Sequence, residues 1–289
     1  MNRPFSFLKL RPVYLLFAVA FLLACQQSEP KPASHNTSEF GRVGDSVRFS
    51  GYDWTVKVYE DQMWGPGPNY FSGSERDVFL DENGYLHLRI AKRDGKWMST
   101  EVVADEFTGY GTYRFTVEGT MDALVRNTVL GLFTWDNNSF QEQANSEVDI
   151  EFSRWGNPQI ERTLQYGVQP INFGPYFPER AHKPPYQVGM VNGVTTHEFI
   201  WEKDLITWRS YTGETADPQN KFAEWTFGTE NPARVKNEGG RSSNPVVIPA
   251  PGSTTSARMN FWILTGINPG PVDGQLHEVI IRSFEYIPL

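Results

Sequence analysis

Short stretches in which apolar and polar residues alternate, separated by turn residues, run along most of this chain. Ten of them read as strands: 54–59, 85–91, 113–117, 129–135, 146–152, 163–168, 196–201, 206–211, 258–264 and 277–286. Breakers sit between them, among them Gly65-Pro66-Gly67-Pro68, Asp94-Gly95, Gly156-Asn157-Pro158 and Asn268-Pro269-Gly270-Pro271. No segment longer than about ten residues holds a helical period of apolar positions, so helices are expected to be rare. Many short strands with Gly/Pro turns predict an all-β sandwich or jelly roll. The stretches 59–75, 169–192 and 213–256 read as long loops, in keeping with 25 Gly and 20 Pro.

One strand differs from the others. Glu147-Val148-Asp149-Ile150-Glu151-Phe152 alternates three carboxylates with three apolar residues. Successive side chains of a strand point to opposite faces, so Glu147, Asp149 and Glu151 share one face while Val148, Ile150 and Phe152 fill the other. The two glutamate Cα atoms then lie roughly 13 Å apart, at about 3.3 Å per residue. Both side chains are long enough to lean over the shorter Asp149, to the carboxyl separation of about 5–5.5 Å at which glycosidases work with retention. Alternation alone equally describes the wet face of a half-buried antiparallel strand. Against that reading, three like charges repel one another with no basic residue between them, and strand interiors are poor in Asp and Glu.

The first residues bear on compartment. Arg3, Lys9 and Arg11 form a positive n-region, and 13–23 is an apolar run of signal-peptide length, too short to span a membrane. It ends in Leu22-Leu23-Ala24-Cys25, which resembles a bacterial lipobox, where the chain is cut before a cysteine that then carries lipid; the alternative is an ordinary secretory signal with an incidental cysteine. Cys25 is the only cysteine in 289 residues, so no intrachain disulfide forms and the fold must stand on its core. The expected organisation is a lipoprotein signal peptide at 1–24, a lipidated Cys25 with a polar tether to 48, and one domain from 49 to 289. Lipid on Cys25 would hold the protein on the bacterial cell envelope, at the outer membrane or cell surface, without a spanning segment.

Charge narrows the partners. Removing 1–24 takes away three basic groups and no acid, so the formal charge of −8 becomes −11. This balance argues against nucleic acid and anionic lipid as partners of a basic face, and fits a neutral substrate better than a polyanion. Aromatic residues reach 14%, with nine tryptophans. Trp54, Trp201 and Phe284 read as core, whereas Trp135, Trp155 and Trp262 lie near the acidic strand or beside loops, where indole faces suit the C–H faces of sugar rings. Metal chemistry finds no HxH or HExxH spacing among the five histidines, and Ser-His-Asp chemistry finds no G-x-S-x-G elbow.

With these features in hand, the chain resembles glycoside hydrolase family 16 from about residue 50 to the C-terminus. The family signature is Glu-x-Asp-x-Glu, or a bulged Glu-x-Asp-x-x-Glu, and Glu147-Val-Asp149-Ile-Glu151 matches the first form. Glu101 and the run Gly109-Tyr110-Gly111-Thr112-Tyr113 are similar to the family's "YGYGxYE" segment. Phe199-Ile200-Trp201 with Ile206-Thr207-Trp208 resembles its paired later strands, Met259-Asn260-Phe261-Trp262 its "MNLW" segment, and 279–286 its closing strand.

The resemblance implies a concanavalin A-like β-jelly-roll sandwich of two curved antiparallel sheets with a glycan groove on one face. It implies a retaining endo-β-glycosidase in which Glu147 is nucleophile, Glu151 general acid/base, and Asp149 the residue that holds and tunes both. By short local motifs it places Asn69, Glu101, Trp135, Gln165, Asn260 and Trp262 along the groove; Trp155 joins them by its proximity to the acidic strand. No cofactor is required for this chemistry, a structural calcium occurs in the family, and a monomer is expected. The unbulged signature leans toward β-glucans with β-1,4 character, although Val102-Val103 stands where mixed-linkage enzymes carry Tyr and Arg. A non-catalytic carbohydrate-binding protein and a transglycosylase using the same residues remain the competing expectations.

Overall fold

The computed structural model describes residues 42–43, 45–171, 180–229, 246–264 and 269–289. Cys25, with the signal sequence and most of the expected tether, lies outside them. In chain order the strands are β1 (Arg42–Val43), β2 (Ser46–Phe49), β3 (Tyr52–Val56), β4 (Tyr59–Trp64), β5 (Asn69–Phe71), β6 (Val78–Leu80), β7 (Leu86–Arg93), β8 (Lys96–Ala104), β9 (Gly111–Glu118), β10 (Thr128–Trp135), β11 (Val148–Ser153), β12 (Leu164–Val168), β13 (Ala181–His182), β14 (Val194–Trp201), β15 (Leu205–Thr212), β16 (Lys221–Gly228), β17 (Ser256–Ile263) and β18 (His277–Pro288). The α-helical content of the described residues is one turn, α1 (Phe140–Gln143).

Two curved sheets pack face to face as a jelly-roll sandwich. The first runs β13-β12-β11-β10-β17-β8-β3-β2-β1, antiparallel throughout. The second runs β6-β7-β18-β9-β14-β15-β16, also antiparallel. Strand β8 joins them: its first residues pair with β7, and its later ones enter the first sheet. A hairpin of β4 and β5 lies against the early part of β8, with β5 parallel to it.

Alternation on the acidic strand has the predicted consequence. Val148, Ile150 and Phe152 are wholly buried between the sheets, in one core with Phe115, Phe199, Trp201, Ile206 and Trp208 of the second sheet. Burying side chains of this size stabilises the fold by about 1.5–3 kcal/mol each, which is what holds β11 flat against the sandwich. The core also holds a polar chain: Tyr166 Oη to Ser210 Oγ at 2.6 Å, Ser210 Oγ to His197 Nδ1 at 2.7 Å, and His197 Nε2 to Thr195 Oγ1 at 2.8 Å. Burial pushes the imidazole of His197 down to about 3, so it stays neutral.

Each of the ten expected strands overlaps an observed one, but three readings change. The range 54–59 straddles two strands, β3 and β4. The stretch expected to be tether up to residue 48 already contains β1 and most of β2, and Val47 and Phe49 are in the core. The stretches 59–75, 169–192 and 213–256, expected as loops, contain β4, β5, β13 and β16. Sequence reading missed β16 because Lys221–Gly228 buries only Ala223 and Phe227 in its eight residues, which leaves little apolar pattern on an edge strand.

Candidate active site

The acidic strand is bracketed by backbone that most residues avoid. Ala144, Asn145 and Ser146 have φ of +48°, +60° and +52°, and Trp155, just past the strand, has +49°. Non-glycine residues in this left-handed region cost of order 1 kcal/mol or more and persist only where neighbours impose them. Here Asn145 Nδ2 donates to the Asp136 carbonyl, Ser146 Oγ to the Ala250 carbonyl, and Thr134 Oγ1 to the Ser146 carbonyl. These bonds turn the chain sharply, so that Glu147 starts the outward row at a defined register.

Asp149 is 3% exposed, whereas Glu147 and Glu151 on either side of it are partly exposed. Burial pushes the Asp149 carboxyl well above the usual carboxylate range, and the charges of Glu147 and Glu151 and a hydrogen bond with Glu147 push it the same way. Its acid form is favoured and hydrogen bonds with Glu147. Glu151 is pushed up to about 7, also by burial, with Gln165 and the nearby ammonium of Lys183 opposing. One strand thus carries an aspartic acid whose carboxyl is pushed well above the usual range between two glutamates, one of which titrates near neutrality.

Register aligns the neighbours. Gln165 on β12, Glu151 on β11, Gly131 on β10, Asn260 on β17 and Glu101 on β8 are cross-strand partners in one continuous row. Gln165 Nε2 donates to Glu151 Oε2 at 3.2 Å. At Gly131 a Cβ would lie 2.5 Å from Asn260 Oδ1, so only glycine lets the Asn260 amide lean over β10. The next row places Gly167, Asp149, Phe133 and Arg258 side by side. A Cβ at Gly167 would lie 3.2 Å from Asp149 Oδ2 and 2.8 Å from Ile171 Cδ1. Beneath the row, Trp208 of the second sheet donates Nε1–H to the Asp149 carbonyl at 2.9 Å, tying the acidic strand to the core.

The other expected site residues divide. Glu101 is 1% exposed and is clamped by Lys57 Nζ (3.2 Å), Arg258 Nη1 (3.1 Å) and Asn260 Nδ2 (3.3 Å). It organises the floor, since its oxygens are engaged by protein donors. Asn69 is likewise occupied: its Nδ2 donates to the Pro66 and Ile263 carbonyls and its Oδ1 accepts from Ser99 Oγ. Trp262 is 4% exposed and packs edge-on against the partly exposed Trp155, centroids 6.4 Å apart. Trp135 is partly exposed, with the Arg258 guanidinium 5.8 Å from its ring and its Nε1–H on Asn137. The sequence reading missed Lys57 and Arg258, which resemble any strand lysine and arginine until β3, β8 and β17 come together. It missed Gln169, whose Nε2 donates to Asp149 Oδ2 at 3.4 Å, and Lys183 for the same reason.

Depressions among the described residues also lie away from the row. One is on the second sheet, around Arg114, Glu198, Arg209 and Lys221. No cluster of three or more His, Cys, Asp or Glu among the described residues is arranged to hold a metal ion.

No family model matches this chain, and none of the curated proteins does. Solved structures do. A beta-glucanase of Bacillus licheniformis superposes with a TM-score of 0.55 at 17% identity, over 85% of this chain and 99% of that one. An immunostimulatory antigen and pseudo beta-1,3-glucanase of Mycobacterium tuberculosis also gives 0.55, at 16% identity over 82% and 91%. A structure described with endo-acting O-glycanases of the human gut microbiota gives 0.54, at 15% identity over 82% and 92%. At such identities the likeness shows a shared fold: the chain has the jelly roll of the beta-glucanases.

Proposed function

We propose that this chain is a retaining endo-β-glycosidase of the family 16 type, cleaving a β-linked polysaccharide, most directly a β-glucan. The observation that carries the reading is the Glu147–Asp149–Glu151 row, in which a buried Asp149, its carboxyl pushed well above the usual range, separates a glutamate it hydrogen bonds from a glutamate titrating near pH 7. A surface strand has no use for a carboxyl held at that pH, whereas acid/base catalysis does.

In the first step a Glu147 oxygen attacks the anomeric carbon, the bond to the leaving oxygen breaks, and that oxygen takes the proton of Glu151. The product is a glycosyl ester on Glu147, which no longer carries charge, so Glu151 loses a repulsive neighbour and its pKa falls. Ionised Glu151 then takes a proton from water, whose oxygen attacks the anomeric carbon and frees Glu147. Asp149 donates to Glu147 while it is an anion, in the ground state and as it leaves.

Incubation with laminarin, lichenan, xyloglucan, agarose, porphyran and carrageenan tests this by release of reducing ends. Cleavage of a β-glucan is expected, with the β anomer appearing first by proton NMR; first release of the α anomer refutes retention. Glu147→Gln should abolish cleavage and keep binding. Binding without cleavage by the unaltered protein would favour a carbohydrate-binding role, the reading that the M. tuberculosis neighbour's description as a pseudo-glucanase brings forward. Product analysis with excess oligosaccharide acceptor separates hydrolysis from transglycosylation. We also infer lipidation at Cys25; Cys25→Ser should move the protein from the membrane fraction to the soluble one.

A further inference from the structure

We propose that Tyr59 and Trp64 form an aromatic sugar platform that extends the glycan cleft beyond Glu101 and makes the protein prefer long chains. The proposal rests on the carboxylate row being a glycan site. The two rings stack face to face, centroids 5.0 Å apart and planes within 3° of parallel. They sit at the two ends of β4, whose four intervening residues are all exposed.

Strand geometry puts both rings on the face of the catalytic row. On β8, Ser99 and Glu101 are two apart and so point the same way. Ser99 Oγ bonds to Asn69 Oδ1, which places Asn69 on that face too. Trp64 is the cross-strand partner of Asn69, and Tyr59 that of Phe71, two residues on from Asn69. A register irregularity between Tyr59 and Trp64 brings residues of opposite parity to one side. From Glu151 the path crosses β10, β17, β8 and β5 to β4, so Trp64 lies roughly 24 Å away along the sheet at about 4.8 Å per strand. That is several sugar units from the scissile bond.

The hairpin is anchored to the site. Lys57 Nζ, which clamps Glu101, also donates to the Gly65 carbonyl at 2.7 Å, and Asn69 ties the base of the turn to the Pro66 and Ile263 carbonyls. Its aromatic pair is therefore held at a fixed place relative to the acids. Tyr59 stacks on one face of Trp64, which is partly exposed on an edge strand, and an aromatic ring so placed suits the C–H face of a pyranose.

Binding of a ladder of β-linked gluco-oligosaccharides, trimer to octamer, to the Glu147→Gln protein and to the same protein carrying Trp64→Ala tests the proposal. The octamer should bind about 3- to 10-fold more weakly when Trp64 is removed, with the trimer unchanged. Trp64→Phe should keep most of the octamer advantage, and thermal melts of both variants report whether the hairpin holds. Equal losses for trimer and octamer, or no loss for either, overturn the platform, as does a Glu147→Gln protein with no length advantage. If length-dependent binding is seen while the unaltered protein cleaves nothing, the reaction assignment fails and the platform stands.

Discussion

Glu151 carries the sharpest consequences of any residue. Because its folded value is near 7, the basic limb of kcat/KM against pH should fall near neutrality. Gln165 opposes the rise by hydrogen bonding the carboxylate, so Gln165→Leu should move that limb to higher pH, which a pH–rate profile reads directly. Glu151→Gln should lower kcat by about 100- to 10,000-fold on substrates with poor leaving groups. The same residue is costly to the fold. A carboxyl with a raised folded pKa costs nothing below its unfolded value of 4.5 and progressively more as pH rises toward 7. Glu151→Gln should therefore stabilise the protein at pH 8, by about 1–3 kcal/mol, and not at pH 4, as read by denaturant melts at the two values. The acids of this row were legible from sequence because alternation fixes which side chains share a face. Their ionisation was not, because it depends on how deeply the neighbouring strands bury Asp149.

Strand pairing, at the next scale, turns scattered residues into a floor. Glu101 stitches β8 to β17 through Arg258 and Asn260, and to the segment after β3 through Lys57. Glu101→Gln leaves two buried cations less than fully compensated and should destabilise the protein by about 3–5 kcal/mol, measured by thermal or chemical unfolding. Gly131→Ala sets a Cβ against Asn260 Oδ1 and should cost about 1–3 kcal/mol while loosening Asn260 from Glu101. The sequence marked Glu101 and Asn260 as groove residues by local motif, yet the two hydrogen bond to each other. Strand β8 itself was overlooked: Lys96–Ala104 is buried over its last seven residues except Val103, so it shows no alternation to read. The charge of Glu101 is tolerable only because donors from β17 and from the segment after β3 converge on it.

For the molecule as a whole, the two sheets are joined by apolar packing with the His197 chain inside it. His197 has a folded value near 3 against 6.5 unfolded, so its full contribution is present above pH 6.5 and is lost as pH falls toward 3. Unfolding free energy should decline by up to about 1.4 kcal/mol per pH unit in that window, and His197→Gln should flatten the slope. By itself the sequence determined the all-β class, the core-facing and outward positions of the acidic strand, and the approximate places of many of its strands, because these follow from a two-residue period and from turn chemistry that act locally. Only the tertiary structure decided that Glu101 is clamped, that the Asp149 carboxyl is pushed well above its usual range, and that Tyr59 and Trp64 face the same side as the acids. Those outcomes depend on which distant strands become neighbours, and on the desolvation and charge that such neighbours impose.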